Sequence, residues 1–153
     1  MSTLKTNAIQ TVSGKPILNS TGSIIQVVEG ILSAATSTSS GSLSPAYVAT
    51  GLTATITPTS ATSKILVLVT VNIQNECASG GCFGGIYRNA SALLYSSLAQ
   101  FQANGNTVTH AGINFIDSPA TTSPTTYAYY HSRYNTGNAV TNQGRIYLLE
   151  VSA

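Results

Sequence analysis

Few residues of this chain are of types that carry chemistry. Its 153 residues include four acids, two histidines and two cysteines. The acids are Glu29, Glu76, Asp117 and Glu150, and none of them is paired in a recognisable catalytic motif. Glycoside hydrolysis needs two carboxyl groups placed on either side of the bond, so we expect no such activity. Asp117 stands before Ser118-Pro119, where an Asp side chain bonds its own backbone in a turn.

The cysteines and histidines do not suggest a metal site either. Cys77 and Cys82 are separated by four residues, and they could close a loop-tip disulfide or remain two thiols. A disulfide would form late, because thiols stay reduced in a producing cytoplasm. With His110 and His131 as the other candidate ligands, no four-ligand zinc pattern emerges. We expect both histidines to be surface or interface residues, and we predict no catalytic residue, no metal and no cofactor.

The composition favours strands and self-association. Charged residues make up 7% of the chain, against about 25% in an ordinary soluble domain. Ser and Thr supply roughly a quarter of it, and the β-branch of Thr suits pleated strands. Few surface charges weaken the repulsion that keeps monomers apart. The sequence therefore predicts an all-β chain that assembles with copies of itself.

The same composition argues against two classes of partner. The six basic residues are scattered, whereas nucleic-acid binding needs several clustered contacts to phosphate. No apolar run reaches the 18 residues of a membrane-spanning helix, and the first residues lack the apolar core of a secretory signal. We expect synthesis in a cytoplasm, with no nucleic-acid and no membrane partner.

The chain divides into an arm and a body. Residues 1–23 combine sparse apolar residues with repeated turn formers, so this stretch cannot bury enough surface to order itself. We expect it to become ordered on another chain, as an attachment arm. Its candidate contact residues are Leu4, Ile9, Val12, Ile17 and Leu18. The body, residues 24–153, reads as a β-sandwich.

Alternating apolar residues predict a series of short strands in the body. The predicted strands cover residues 24–32, 50–58, 64–74, 84–88, 93–102, 108–116, 125–134 and 145–152. The polar stretch 33–45 is either a loop or an edge strand, and 91–101 has a doubtful helical period. Asn104-Gly105 is a strong hairpin signal, and we expect the last strand near a sheet edge.

Two strands are apolar on both faces, at 65–73 and 146–151. A strand with one wet face needs apolar residues on one side only, so a second layer or a neighbouring subunit must cover the other. We take the second faces, with two tyrosines, as the candidate oligomer interface. Its residues are Leu66, Leu68, Tyr127, Tyr129, Tyr147, Leu149 and Val151.

Tyr127, Tyr129, Tyr130 and Tyr134 form an aromatic cluster in the sequence. Tyrosines are common in cores and at subunit interfaces, and we favour packing, with Tyr127 and Tyr129 on one sheet face and Tyr130 on the other. The alternative is stacking on sugars of a host surface.

Several segments resemble small β-domains of bacteriophage virion structural proteins, of the capsid-decoration and tail-fibre type found in marine and cyanobacterial phages. The resemblance is carried by STLKTNAIQ, IIQVVEG, GLTATITPTSATSKILVLVTVNIQ, GGIYRNASALL, FIDSPATTSPTTYAYY and RIYLLEVSA. The order of SKILVLVTVNIQ and GGIYRNASALL is also similar to jelly-roll heads of the C1q and tumour-necrosis-factor type. The resemblance implies a homotrimeric antiparallel jelly-roll sandwich displayed on a virion surface.

Two hypotheses of function follow from that resemblance. The first is a non-enzymatic capsid decoration (cement) protein, whose arm lies on the major capsid protein or on a sister copy. The second is a short tail fibre or fibre tip, bound to a tail protein, with loops 75–85 and 134–143 contacting host-surface glycans.

Overall fold

The computed structural model describes residues 21–40, 46–76, 81–102, 107–133 and 136–153. Within these ranges the chain forms nine strands and no helix. The strands are β1 Ile24–Leu32, β2 Thr36–Thr38, β3 Val48–Ile56, β4 Lys64–Asn75, β5 Gly81–Arg88, β6 Ala92–Gln102, β7 Thr107–Asp117, β8 Thr125–Arg133 and β9 Ala139–Val151. Every predicted strand of the body is confirmed, with shifts of a few residues at the ends.

The described strands form two antiparallel sheets that face each other. The first sheet has the order β1-β9-β4-β7, with the short β2 also paired to β9. The second has the order β3-β8-β5-β6. This arrangement is an antiparallel sandwich of the jelly-roll type, and the predicted fold class is confirmed.

The core lies between the sheets and follows from the alternation in the sequence. In β4 every second residue from Ile65 to Ile73 is at most 3% exposed. Facing them from the second sheet are Leu52, Ile56, Ile86, Tyr127 and Tyr129, each at most 1% exposed. The inward residues of a pleated strand share one face, so the apolar alternation alone brings these side chains together.

The two sheets pack closely where β1 crosses β3. A Cβ atom added to Gly30 of β1 would lie 2.0 Å from the carbonyl oxygen of Thr53. Gly144 of β9 is similarly confined, because its added Cβ would lie 2.7 Å from Leu52 Cδ2. These glycines allow backbone and side chains of the second sheet to reach the first.

Two details of the predicted topology are wrong. The last strand, β9, is not near an edge but lies between β1 and β4. β6 and β7 belong to different sheets, so they are not the two arms of the hairpin that Asn104-Gly105 predicted. The segment with a doubtful helical period is strand β6, which confirms the strand predicted over residues 93–102. The alternatives for residues 33–45 resolve in part, because Thr36–Thr38 is a short strand.

Residues 1–20 lie outside the described residues, so the arm and its five apolar residues stay a prediction. Gly22 and Ser23, near the start of the described residues, lie beside Ser152. The Gly22 amide donates to the carbonyl oxygen of Ser152 at 2.8 Å, and the Ser23 amide donates to Ser152 Oγ at 3.1 Å.

Candidate functional site

The first sheet carries a row of apolar side chains on the face that points away from the core. Val27 pairs with Leu149, Leu149 with Leu66, and Leu66 with Ile116. The row therefore crosses all four long strands of the sheet. Val27 is 57% and Ile116 62% exposed, and no other described part of the chain covers them. We call these four residues the apolar row.

The apolar row continues into its neighbours on both sides. The next register pairs Leu68 with Tyr147, both half-buried. At the end of the sheet lie the half-buried Val151 and the exposed Ile24 and Ile25. Monomeric proteins rarely expose a contiguous apolar patch of this kind unless it marks a contact site.

Five of the seven predicted interface residues lie on this outer face: Leu66, Leu68, Tyr147, Leu149 and Val151. The other two were wrongly assigned. Tyr127 and Tyr129 are fully buried between the two sheets of the same chain, so neither has surface to offer a partner. Both lie on the core side of β8, as the packing alternative for the aromatic cluster predicted, and Tyr130 lies on the opposite side. Tyr134 lies outside the described residues.

The outer face becomes polar towards the other end of the strands. Arg145 pairs with Ile31 and Thr70, and Thr70 pairs with Gly112. A shallow depression of about 340 Å³ opens here, bordered by His110 and Asn72. Asn72 Oδ1 is buried there with no hydrogen-bond partner among the described residues.

One ion pair separates the apolar and polar halves of this face. Arg145 donates to Glu29 Oε1 across the β1–β9 pair. Hydrogen bonds from Tyr147 and Arg145 lower the pKa of Glu29 below its usual value. Hydrogen bonds to Tyr147, first, and to Glu29, second, raise the pKa of Arg145 above its usual value. Both charges are thus satisfied within the chain, beside the apolar row.

The four acids all act as hydrogen-bond acceptors for neighbouring elements. Glu150 is fully buried and accepts from Gln26 Nε2 at 2.6 Å and from the Thr59 amide and hydroxyl at 2.7 Å each. Burial acts to raise the pKa of Glu150, but hydrogen bonds from Gln26, Ser63 and Thr59 outweigh it and lower the pKa to about 2. Glu150 therefore ties β1 and the β3–β4 loop to β9 as a carboxylate.

Asp117 is not the predicted turn cap, because its carboxylate bridges the two sheets. Arg88 Nη1 donates to its oxygens at 2.9 and 2.7 Å, and the Tyr127 hydroxyl donates at 2.6 Å. Burial, followed by this hydrogen bond to Asp117, raises the pKa of Tyr127. The remaining acid, Glu76, accepts from Asn138 Nδ2 at 3.1 Å.

The two histidines differ in their surroundings. His110 is exposed on β7, as expected. His131 was expected at a surface or interface, but it is 1% exposed within the chain's own core. Its Nδ1 lies 3.0 Å from Thr141 Oγ1, and burial lowers its pKa to about 4. It is therefore neutral at pH 7.

Cys82 is fully buried on β5, with its Sγ 4.0 Å from the carbonyl oxygen of Gln74. Cys77 lies outside the described residues, so the disulfide stays a prediction. Among the residues that the structure does describe, no three His, Cys, Asp or Glu side chains are grouped as metal ligands. In the same part of the chain no helix is long and apolar enough to cross a membrane.

No family model and no curated protein matches this chain. Solved structures do resemble it in fold. A chain from the structure of infectious bursal disease virus strain Gx superposes with a TM-score of 0.55 at 12% identity over 81% of this chain and 32% of that one. The Eiger TNF of S. frugiperda gives 0.52 at 11% identity, covering 82% of this chain and 91% of its own. A chain from the Gt strain of the virus gives 0.50 at 13% identity, over 95% of this chain and 43% of that one.

These similarities place the sandwich among jelly-roll folds. This chain spans about a third of the length of the Gx-strain chain that it matches.

Proposed function

We propose that this chain is a non-enzymatic structural component of a virus particle that assembles with copies of itself through the outer face of its first sheet. The observation that carries the proposal is the apolar row, whose outermost members, Val27 and Ile116, are 57% and 62% exposed. Burying apolar surface contributes about 25 cal/mol per Å² before the costs of association. The likeness in fold to chains of infectious bursal disease virus supports a place in a virion.

The arrangement of the acids supports a mechanical role over a catalytic one. Glu150 and Asp117 each hold separate elements of the sandwich together through three hydrogen bonds. Glu29 is paired with Arg145, and Glu76 accepts from Asn138. Carboxylates occupied in this way are not available as a general acid and base facing one substrate.

In the finer form of the proposal, the assembly is a homotrimer on the virion surface that acts as a capsid decoration protein. The arm would then bind the major capsid protein by adding backbone hydrogen bonds to an exposed strand. Because the described chain begins next to Ser152, the arm would leave from the end of the sheet where Ile24, Ile25 and Val151 lie.

Sedimentation and mass analysis test the proposal in two steps. We expect the purified chain to sediment as an oligomer at micromolar concentration, and purified particles to carry it in hundreds of copies. A few dozen copies would instead favour the tail-fibre alternative, with a tail protein as partner. A stable single chain at that concentration would contradict the proposal in both forms.

Deleting residues 1–20 tests the arm and retains the hydrogen bonds of Gly22 and Ser23 to Ser152. We expect the shortened chain to assemble as before but to bind particles more weakly. Loss of assembly would assign these residues to the oligomer instead of to attachment.

A further inference from the structure

The outer face of the second sheet carries a cluster of three tyrosines that neither the core nor the apolar row uses. The ring centroids of Tyr87 and Tyr130 lie 4.3 Å apart with a tilt of 41°. Those of Tyr47 and Tyr87 lie 6.0 Å apart, edge to face. All three side chains are half-buried and retain some exposed surface. We call Tyr47, Tyr87 and Tyr130 the tyrosine platform.

Three of the four residues paired with Tyr87 and Tyr130 are alanine or glycine. Tyr130 pairs with Ala49 on one side and with Gly85 on the other. Tyr87 pairs with Ala128 on one side and Leu93, 45% exposed, on the other. A methyl group or a hydrogen atom beside a tyrosine ring leaves part of the ring uncovered.

The absence of a side chain at Gly85 allows the Tyr47 ring to lie close to the backbone of β5. A Cβ atom added there would lie 3.1 Å from Tyr47 Cε1, closer than ordinary contact, so the Tyr47 ring lies directly on the strand backbone. This position connects Tyr47, which precedes β3, with the rings on β5 and β8. The platform therefore joins β5, β8 and the residue before β3.

The surroundings of the platform are hydroxylated and nearly free of charge. Thr53 pairs with Ala128, which is the neighbour of Tyr87 across the sheet. Further along the same two strands Thr55 pairs with Thr126, and their hydroxyl oxygens are 2.7 Å apart. In the described strands of this sheet the charged residues are Arg88 and Arg133. Arg88 is already paired with Asp117 at 2.7 Å, and Arg133 Nη1 lies 3.4 Å from the Gly137 carbonyl oxygen.

We propose that the tyrosine platform binds a neutral saccharide, with a pyranose C–H face against the part of the Tyr87 and Tyr130 rings that stays exposed and its hydroxyls towards Thr53 and Thr126. A sugar ring offers an apolar face and a polar edge, which match an aromatic surface with a fringe of hydroxyls. An acidic polysaccharide would need unpaired cations here, whereas Arg88, next to Tyr87 in the chain, is paired with Asp117. The site lies on the sheet opposite the apolar row, so it does not depend on assembly through that row.

The test uses the full chain in its assembled form and a panel of neutral oligosaccharides, with hexose and N-acetylhexosamine polymers and matched acidic ones. Saturation-transfer NMR would detect contact through the sugar C–H protons, and calorimetry would give Kd. We expect binding of neutral members that persists at 0.5 M salt, since no ion pair is involved.

Substitutions then locate the site. We expect Tyr87→Ala and Tyr130→Ala each to raise Kd about 10-fold or more, the range for loss of one stacked ring. Tyr130→Phe should stay within about 2-fold, because it keeps the ring. His110→Ala, exposed on the other sheet, is the matched control and should bind as the unchanged chain does.

A variant that keeps all three rings covers the case in which the alanine variants fail to fold. Ala128→Arg places a long side chain beside Tyr87 and Tyr130 and should block the sugar with sedimentation unchanged. The proposal is overturned if no neutral saccharide binds, if only acidic ones do, or if Ala128→Arg and His110→Ala behave alike. A protein ligand bound at the platform in place of sugar would also overturn it.

Discussion

The two sheets bury similar side chains between them but present different outer faces. The first sheet shows an apolar row with Val27 and Ile116 more than half exposed, beside the ion pair of Arg145 and Glu29. The second shows half-buried tyrosines among Thr, Ala and Gly. Exposing the second surface to water costs less free energy than exposing the first, because a tyrosine side chain ends in a polar hydroxyl. The difference teaches that one sandwich carries one face suited to protein contact and another suited to a small polar ligand.

The sharpest way to break this comparison is to place the same charge on each outer face. We expect Leu66→Asp, in the apolar row, to raise the dissociation constant of the oligomer at least about 100-fold, because burying an unpaired carboxylate costs several kcal/mol. Thr53→Asp, on the exposed outer face of the second sheet, is the control and should leave assembly unchanged. Sedimentation velocity over a concentration series measures both. Equal behaviour of the two variants would mean that the apolar row is not the contact surface.

Alanine substitutions at two glycines compare the inner and the outer face of the first sheet. Gly30→Ala should destabilise the fold by about 3 kcal/mol or more, because the new methyl group meets the Thr53 carbonyl oxygen at 2.0 Å and backbone there cannot move aside. Gly112→Ala has no atom within 4 Å of the added Cβ and should stabilise slightly or have no effect. Urea unfolding gives both values. A large loss from Gly112→Ala would show that a partner already packs on the polar half of the face.

Acid should affect a buried group of each sheet in a different pH range. His131 has a folded pKa of about 4 against an ordinary value of 6.5, so the unfolded chain binds the proton first as pH falls. Stability should therefore decrease by about 3 kcal/mol between pH 6.5 and 4. His131→Gln, which does not titrate, should remove this part of the pH dependence.

Glu150 should act at lower pH. Its pKa is lowered from 4.5 to about 2, so the stability contributed by the carboxylate is complete above pH 4.5 and is lost as pH falls towards 2. Glu150→Gln should destabilise the fold at pH 7 by about 1–3 kcal/mol, because Gln26 and Thr59 lose the charged acceptor of their hydrogen bonds. Denaturant curves at pH 7, 5 and 3 separate the two groups. If His131→Gln left the decrease between pH 6.5 and 4 in place, another group would be responsible.

The smallest expected change in stability comes from removing the hydroxyl of either of two equally buried tyrosines of β8. The Tyr127 hydroxyl donates to Asp117 at 2.6 Å, whereas the Tyr129 hydroxyl has no hydrogen-bond partner among the described residues. Tyr127→Phe should cost about 1–2 kcal/mol, and Tyr129→Phe should be neutral or stabilise by up to about 1 kcal/mol. Thermal unfolding of the two variants measures the difference. A loss from Tyr129→Phe as large as that from Tyr127→Phe would reveal a bound water at Tyr129.

Local patterns predict the strands well and their neighbours poorly. The alternation in residues 64–74 predicted both β4 and its buried side, because side chains of a strand alternate by geometry alone. The same pattern contains nothing about which strand lies beside which. Asn104-Gly105 has the composition of a hairpin turn, yet β6 and β7 belong to different sheets. β9 is apolar on both faces and is the last strand of the body. Neither property predicts that it lies between β1 and β4.

The candidate sites divide in the same way. Two-sided apolarity predicted Leu66, Leu68, Tyr147 and Leu149 on an outer face, and they lie there. Tyr127 and Tyr129 were misplaced because tyrosine is equally at home in a core and at an interface. The tyrosine platform was missed except for Tyr130, since Tyr47 and Tyr87 come from distant parts of the chain. Their signal was weak: Tyr47 follows Pro45-Ala46, and Tyr87 is separated by Ile86 from Gly84-Gly85.

The position of β9 has a consequence for how the protein folds. Until residues 139–151 are available, β1 and β4 stand on either side of a vacant strand position, with the backbone groups that will pair with β9 unoccupied. Pairing β9 with β1 joins residues more than a hundred positions apart, and such distant contacts form slowly. The first sheet is thus completed from its centre, and a nascent chain ending before β9 exposes the facing edges of β1 and β4 in addition to the outer edges of β1 and β7. Supplying residues 139–151 as a separate peptide to a chain ending at 138 should let the sheet close in trans.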